Sequence, residues 1–466
     1  MASKAIPKPT SKGSFLLGHL AELQQDWLGT LLRWQKEYGD FVPVRLGPRP
    51  AVLIFDPIDA EEILVHKYKH FRKNFILRRT RPLVGNGLLL SEGEFWLRQR
   101  RLAQPAFHKA RIALYAETMA ELAVEALDRW KDVAAVDIHA EMMQLTRSIV
   151  SRCLFGSDLE PGDEAIETII DQLVNDFSNL TNAPVLVPPF VPVRDIVRFY
   201  RDKARLDALI FRFIERRRRQ GTDRGDLLHM LLTARDEDGT RMSDRQVLDE
   251  AMTLFLAGHE TTASALTWAV YLLTRHPRAL RHLQDEVDRV LGDRPPRPAD
   301  VPRLTYTEGV LKEAMRLYPA AWLMGREVVT PCEIRGYTIP KGWNLLISQW
   351  VIHRDPRWFD RPDEFQPERW QSERVQHLPA CAFMPFGAGP RQCIGRHFAM
   401  MEGVIILATL AQRFDLHRDL TRPVVPVPLV SIRPQGGLPV TVKRRSPASD
   451  VARRDVRERE NVSRRP

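Results

Sequence analysis

The sharpest chemical signal in the chain is a ten-residue run near its C-terminal end, Phe386-Gly-Ala-Gly389-Pro-Arg391-Gln-Cys393-Ile-Gly395. A cysteine in a glycine-rich loop can bring its sulfur to a metal while backbone N–H groups point at it and temper its charge. Five fixed residue types in ten positions would arise by chance from this composition with a probability below about one in ten thousand. A second signal is Ala257-Gly258-His259-Glu260-Thr261-Thr262, in the middle of a helical pattern. Glycine there costs about 1 kcal/mol relative to alanine, and two adjacent threonines add nothing to helix propensity, so something else placed them. Thr261 can turn its hydroxyl toward the carbonyl of Ala257 and bend the ladder, opening a groove. An acid beside an alcohol can pass protons. Glu313 and Arg316 stand at i, i+3 and Trp96 and Arg100 at i, i+4, spacings that put each pair on one helical face.

Positioning these residues takes long helices. From about residue 110 to 235, and again from 243 to 318, apolar positions recur at helical spacing with few turn residues. One stretch, Asp244 to Thr274, has no proline and is apolar nearly all round after Glu250. At 1.5 Å per residue it would run about 45 Å, as a buried central rod. Strand signals are fewer: Phe41–Gly47 and Ala51–Phe55 on either side of Pro48-Arg49-Pro50 read as a hairpin, and strand-like pieces return at Glu333–Ile339 and Leu345–Ile347. The expectation is a mainly α chain with a minor β region near its N-terminal side. It divides into a flexible segment over 1–13, one body over 14–445 without linker or repeat, and a basic, disordered tail over 446–466.

Taken together, the motifs resemble the cytochrome P-450 superfamily: the loop F-x-x-G-x-R-x-C-x-G, the (A/G)-G-x-(D/E)-T-(T/S) of the central helix, E-x-x-R, the P-E-R-F segment as Pro367-Glu368-Arg369-Trp370, and W-x-x-x-R. All five stand in the family's order, and the resemblance spans 14–445. It implies that fold, with a long central helix over the haem. It implies haem b (iron protoporphyrin IX) with Cys393 as the axial iron ligand, Gly389 and Gly395 letting the backbone come close, and Phe386 shielding the sulfur. Arg391, Trp96, Arg100 and Arg326 would hold the propionates. Glu313, Arg316 and Arg369 would form a buried network that fixes the loop. Glu260 and Thr261 would supply the protons needed to break the O–O bond, with His259 as packing scaffold. Trp370 in place of Phe is a conservative aromatic change. Ala320 stands where many members carry a second proline after Pro319, a departure that bears on the neighbouring strand and not on the haem.

The same resemblance implies an O2-activating monooxygenase that hydroxylates or epoxidises a lipophilic small molecule such as a fatty acid, terpene or steroid-like compound. Electrons would come from an acidic ferredoxin- or flavodoxin-type donor with its own reductase, docking near Arg98, Arg101, Lys109 and Arg396. A peroxide-driven peroxygenase or rearrangement enzyme is one rival, commonly lacking the acid–alcohol pair. A non-enzymatic haem sensor is another, and needs no proton relay. Leu88, Leu89, Phe255, Ala257, Ala321, Trp322, Leu323, Leu429 and Val430 are the positions expected to face the pocket. The run from Asn182 to Val193 has four prolines and no charge, so it suits neither a regular helix nor a central strand. It reads as an apolar lid contributing Val187 and Phe190, compatible with peripheral membrane contact.

Composition limits the alternatives. The chain has 466 residues, 44% hydrophobic and 27% charged, which is ordinary for a globular body. No run of eighteen apolar residues is present to span a bilayer. Four scattered cysteines form no C-x-x-C pair, which argues for a reducing compartment and against a disulfide framework. With no signal-peptide pattern at the start, cytoplasmic residence is expected. Half of the net charge of +10 falls in residues 441–466, where nine Lys/Arg face four Asp/Glu. The rest looks thinly spread, no nucleic-acid-binding motif accompanies it, and Glu215–Arg219 reads as a solvated helix end.

Overall fold

Asp26 accepts the Gly29 N–H at 2.9 Å and caps the first long helix, α1 (Trp27–Tyr38), which Gly39 ends at φ 83°. Leu28, Leu31 and Trp34, spaced by three, are its buried face. The other long helices are α2 (Gly93–Ala103), α3 (Lys109–Asp128), α4 (Ile138–Phe155), α5 (Arg194–Gln220), α6 (Asp244–Arg275), α7 (Pro277–Leu291), α8 (Thr305–Leu317) and α9 (Arg396–Arg413). The computed structural model describes residues 4–7, 13–14, 16–130, 134–156, 169, 172–173, 194–220 and 225–446. The lid residues Val187 and Phe190 and nearly all of the tail lie outside them. Among the described residues no helix is long and apolar enough to cross a membrane.

The chain forms two compact units. Unit one draws on Met1–Asn74, Tyr115–Thr146 and His259–Pro466, and unit two on Phe75–Leu114 and Arg147–Gly258. No linker marks the division, because the chain passes from unit to unit inside α3, α4 and α6 and, at Asn74–Phe75, directly from a strand (Phe71–Lys73) into a short helix. A continuous helical pattern conceals such a boundary.

Unit one holds the sheets. The largest has strand order β1-β2-β8-β5-β3, from Phe41–Leu46, Arg49–Ile54, Asn344–Ser348, Leu323–Val328 and Phe71–Lys73. Only β2 and β8 run parallel. The sheet's apolar face, with Val52, Ile54, Leu345 and Ile347, packs with Ile63, Leu64 and Met384. The expected hairpin is present with a tighter turn: Leu46 pairs with Arg49, so Gly47-Pro48 alone turn the chain, Gly47 at φ 61°. Glu333–Ile339 is not one strand but a hairpin, β6 (Cys332–Ile334) and β7 (Tyr337–Ile339), turned by Arg335 and Gly336, both at positive φ. Nor is the β portion confined to the N-terminal side. A three-stranded sheet joins β4 (Ala134–Asp137), β12 (Pro439–Arg444) and β9 (Phe414–His417), and β10 (Pro426–Pro428) pairs with β11 (Ile432–Pro434). The helical pattern from 243 to 318 breaks at Pro277, which lacks the N–H to continue α6, and α7 ends at Gly292, φ 59°.

Unit two is helical. Phe155 of α4 meets Phe213 of α5 and Phe255 of α6 at ring centroid distances of 5.6 and 6.5 Å. Helix α5 carries ten Lys/Arg and four Asp/Glu, a net +6, so the excess outside the tail is concentrated rather than spread. Its end is not wholly solvated: Arg217 is buried and pairs with Asp226 at 2.7 Å, while its neighbours Arg218 and Arg219 lie outward.

Candidate active site

In unit one, the cysteine loop is held closed by its own backbone. Cys393 donates its N–H to the Phe386 carbonyl at 2.9 Å, and Gln392 donates to Gly389 at 3.0 Å. Gly389, at φ 68°, lies so close to the chain at Leu64 that a Cβ would stand 2.1 Å from the Leu64 oxygen. No other residue fits that position. Gly395 caps α9 with an ordinary negative φ. Cys393 is exposed three residues before the N-terminus of α9, whereas Cys153, Cys332 and Cys381 are buried. Burial pushes the Cys381 thiol up to about 12 and raises that of Cys332. Among the described cysteines, Cys393 alone is placed to serve as an accessible thiolate.

β5 runs beside this loop: the Met324 sulfur stands 3.6 Å from where a Cβ on Gly387 would be. Arg326 follows two residues later on the same face of the strand, donating to the Gly325 carbonyl at 3.0 Å. Arg326, Arg391 and Cys393 therefore share unit one.

The expected charge network lies behind the loop. Glu313 and Arg316 have no exposed side-chain surface and pair through two hydrogen bonds of 2.8 and 3.0 Å. Glu313 also accepts from Arg369 Nε at 2.9 Å, Trp370 Nε1 at 3.0 Å and the Gln366 N–H at 3.1 Å. Trp370 is thus more than a conservative aromatic change, since its indole N–H is one of the network's donors. From Arg316 the path continues to the loop. Arg316 donates to the His353 carbonyl at 2.8 Å, and His353 Nε2 accepts the Met384 N–H at 3.0 Å. Burial, with Arg316 and Arg354 nearby, holds this imidazole down to about 3, so it is neutral and able to accept. Gln349 donates to the Met384 carbonyl from the other side.

Helix α6 is continuous through Ala257–Thr262. Gly258 has a packing reason in unit two: a Cβ there would stand 2.9 Å from Cγ2 of Val150 on α4. Thr261 is exposed on a helix most of whose residues around it are buried. Glu260 is buried and tied to the β10–β11 hairpin, accepting from Ser431 Oγ at 2.6 Å and from Arg433 at 2.8 Å. His259 is buried and its carbonyl accepts from Thr146 Oγ1 at 2.9 Å, a scaffold role.

Sequence reasoning missed Ser431 and Arg433, and also Glu402. Glu402 is wholly buried on α9, and burial pushes its carboxyl up to about 8 against the opposing effect of the Thr262 hydroxyl. A lone acid within Met400-Met401-Glu402-Gly403-Val404-Ile405-Ile406 was the available signal.

Unit two holds the remaining residues. Trp96 is buried on α2, and Arg100 is half-buried one turn on, donating to Gln104 at 3.0 Å. The segment before α2 is fastened to α6: the Asn86 N–H meets Asp249 at 2.8 Å and the Leu88 N–H meets Glu250 at 2.9 Å. Burial pushes the Glu250 carboxyl up to about 8, opposed by that N–H and reinforced by Asp249. Of the expected pocket residues, Ala257 is exposed and Leu89 half-buried, but Phe255 has no exposed surface and is a core residue of this unit. In unit one, Ala321 and Leu323 are exposed and half-buried respectively, and Trp322 is buried against Trp27. Arg98 and Arg101 do not offer unmatched charge. Both pair with Asp236, at 3.1 and 3.3 Å, because the loop after residue 234 folds back onto α2. Lys109 and Arg396 are exposed.

Comparison with known proteins decides the family: the family model for cytochrome P-450 matches residues 7–438. The chain belongs to the cytochrome P-450 family. It is 41% identical to cyclooctatin synthase of Streptomyces melanosporofaciens over 87% of each chain. Identity is 37% to cyclooctat-9-en-7-ol 5-monooxygenase of the same organism, over 87% of this chain and 89% of that protein. Pentalenene oxygenase of Streptomyces avermitilis is 32% identical over 85% and 88%. A cytochrome P450DA heme domain superposes with a TM-score of 0.85 at 27% identity, covering 96% of this chain and 99% of that one. A cyanobacterial member with retinoic acid bound shares the fold, TM-score 0.84 at 24% identity, over 95% and 99%. This P-450 is an oxidoreductase that incorporates oxygen, and its family implies a haem-thiolate cofactor. The exposed cysteine in its glycine-built loop fits such a group.

Proposed function

We propose that this cytochrome P-450 hydroxylates a polycyclic terpene or terpene alcohol, using haem b and electrons from a ferredoxin- or flavodoxin-type donor. The observation that carries the reading is the likeness to cyclooctatin synthase and cyclooctat-9-en-7-ol 5-monooxygenase, the latter named for an alcohol substrate. The exposed apolar residues Leu429 and Val430 support a lipophilic ligand, bound by burial worth about 25 cal/mol per Å².

Cys393 would hold the haem, which when bound would supply O2 activation and transfer of one oxygen atom. Backbone N–H groups near Cys393 would temper the charge on its sulfur, and Arg391, Arg326, Trp96 and Arg100 would hold the haem propionates. Glu260 and the Thr261 hydroxyl would relay protons toward the haem side. The Glu313 network and His353 keep the loop rigid, which fixes the sulfur's position.

The test is a panel of di- and sesquiterpenes and their alcohols, each scored by displacement of ferric-iron water in the spectrum and by oxygenated product with surrogate redox proteins. A terpene alcohol should bind and gain one oxygen. Binding limited to small charged ligands would overturn the reading, as would an unchanged reduced carbon monoxide spectrum in Cys393→Ala.

A further inference from the structure

The carboxylate of Glu260 is gripped by another element. Ser431 Oγ donates to it at 2.6 Å, and Arg433 donates through one terminal nitrogen at 2.8 Å and through Nε at 3.2 Å. These are charge-assisted bonds that hold the acid in one orientation. His139 on α4 is kept below its usual range by burial and by Arg433, against the opposing influence of Asp137 and Glu260. Its ring lies 3.3 Å from the Thr267 hydroxyl.

Ser431 and Arg433 flank Ile432, whose carbonyl accepts from Ser264 Oγ at 2.7 Å and Trp268 Nε1 at 2.8 Å and so pins the hairpin to α6. The residues immediately before Ser431 form an apolar tip: Leu429 is 44% and Val430 77% exposed, and the Leu429 carbonyl accepts from Trp322 Nε1 at 3.0 Å. Five consecutive residues, Leu429 to Arg433, thus join an exposed apolar surface to the two donors that restrain the acid. A displacement of Val430 reaches Ser431 with no intervening residue.

We infer that Ser431 and Arg433 are positioning residues that hold Glu260 out of proton delivery until a lipophilic substrate engages Leu429 and Val430, so that the β10–β11 hairpin couples substrate occupancy to proton supply. This rests on the reading of Glu260 as the proton-carrying acid. Without the restraint, proton delivery would not wait for substrate, and two electrons and two protons would leave with O2 as hydrogen peroxide, so that reductant is consumed with no substrate oxygenated.

The experiment compares Arg433→Gln, Arg433→Lys, Ser431→Ala and Glu260→Gln in the haem-loaded protein, each first shown to be folded by its reduced carbon monoxide spectrum. Arg433→Gln should raise substrate-free reductant consumption about fivefold or more and lower product per reductant correspondingly, with spectral affinity for a terpene changed less than about twofold. Arg433→Lys should restore most of the coupling. In the Glu260→Gln background Arg433→Gln should add no further effect, because it acts through that carboxylate. Amide hydrogen exchange over 429–433 should change when a saturating terpene binds, a readout that needs no turnover. The inference is overturned if Arg433→Gln leaves substrate dependence intact, if its effect simply multiplies that of Glu260→Gln, or if exchange over 429–433 ignores the ligand. Should Glu260→Gln alone leave product per reductant unchanged, the acid role itself fails, a result separable from a failure of the hairpin alone.

Discussion

Glu313 shows how much one residue can organise. Its carboxylate takes two hydrogen bonds from Arg316, one each from the Arg369 and Trp370 side chains, and one from the Gln366 N–H, with no solvent contact. Glu313→Gln leaves two guanidiniums facing a neutral amide. Removing one partner of a buried pair costs about 3–5 kcal/mol. The Tm should fall, and because Arg316 connects through His353 to Met384, the carbon monoxide band should shift toward that of a lost thiolate before global unfolding. A variant with lower Tm but an unaltered band would show that the network stabilises the fold without holding the loop. The motif residues were legible because each is chemically odd where it stands: a cysteine among glycines, a glycine and two threonines mid-helix. Their partners were not. Ser431 and Arg433 lie more than 170 residues from Glu260 in sequence and carry no local oddity. In the sequence Trp370 is no more than an aromatic substitute, because nothing there brings its N–H to Glu313.

At the scale of elements, the long helices followed from periodicity, and the strands were placed less well. A strand segment as short as Cys332–Ile334 leaves little alternation to read, and its hairpin depends on positive φ at Arg335, a residue type that seldom signals one. The reason for Gly258 is not visible in the sequence, because only tertiary contact reveals Val150 against it. Contacts between elements also carry a pH dependence. Glu250 of α6, which accepts the Leu88 N–H, has its carboxyl pushed up to about 8 from a reference of 4.5, mainly by burial. The folded state therefore holds a proton that the unfolded chain releases. The stabilisation is complete below 4.5 and is lost as pH rises toward 8. Glu250→Gln keeps an acceptor for Leu88 and removes the titration. Its Tm should exceed the parent's at pH 8 by about 2 °C or more, with the difference closing toward pH 5. Parallel pH profiles for the two proteins would exclude Glu250 as the source.

The distribution of charge over the whole molecule decides which cations can meet an electron donor. Division of the sequence into body and tail concealed that α5 alone holds a net +6, because a helix boundary is invisible to a running sum. The sequence also gave no sign that Arg98 and Arg101 are matched within unit two by Asp236. An acidic donor is attracted by unmatched charge, and a surface pair such as Arg101 with Asp236 presents little of it. Arg396 is different. It is exposed three residues after Cys393, its guanidinium donates to the Gln392 side chain and the His397 ring, and among the described residues it pairs with no carboxylate. Electron transfer from an acidic ferredoxin should slow as ionic strength rises, and slow further in Arg396→Glu with the salt dependence weakened. Arg98→Glu should act on the fold instead, placing a carboxylate against Asp236 and lowering Tm, with a smaller effect on the slope of rate against salt. If Arg98→Glu flattens that slope as much as Arg396→Glu does, the pairing with Asp236 does not hold in solution and Arg98 meets the donor as well.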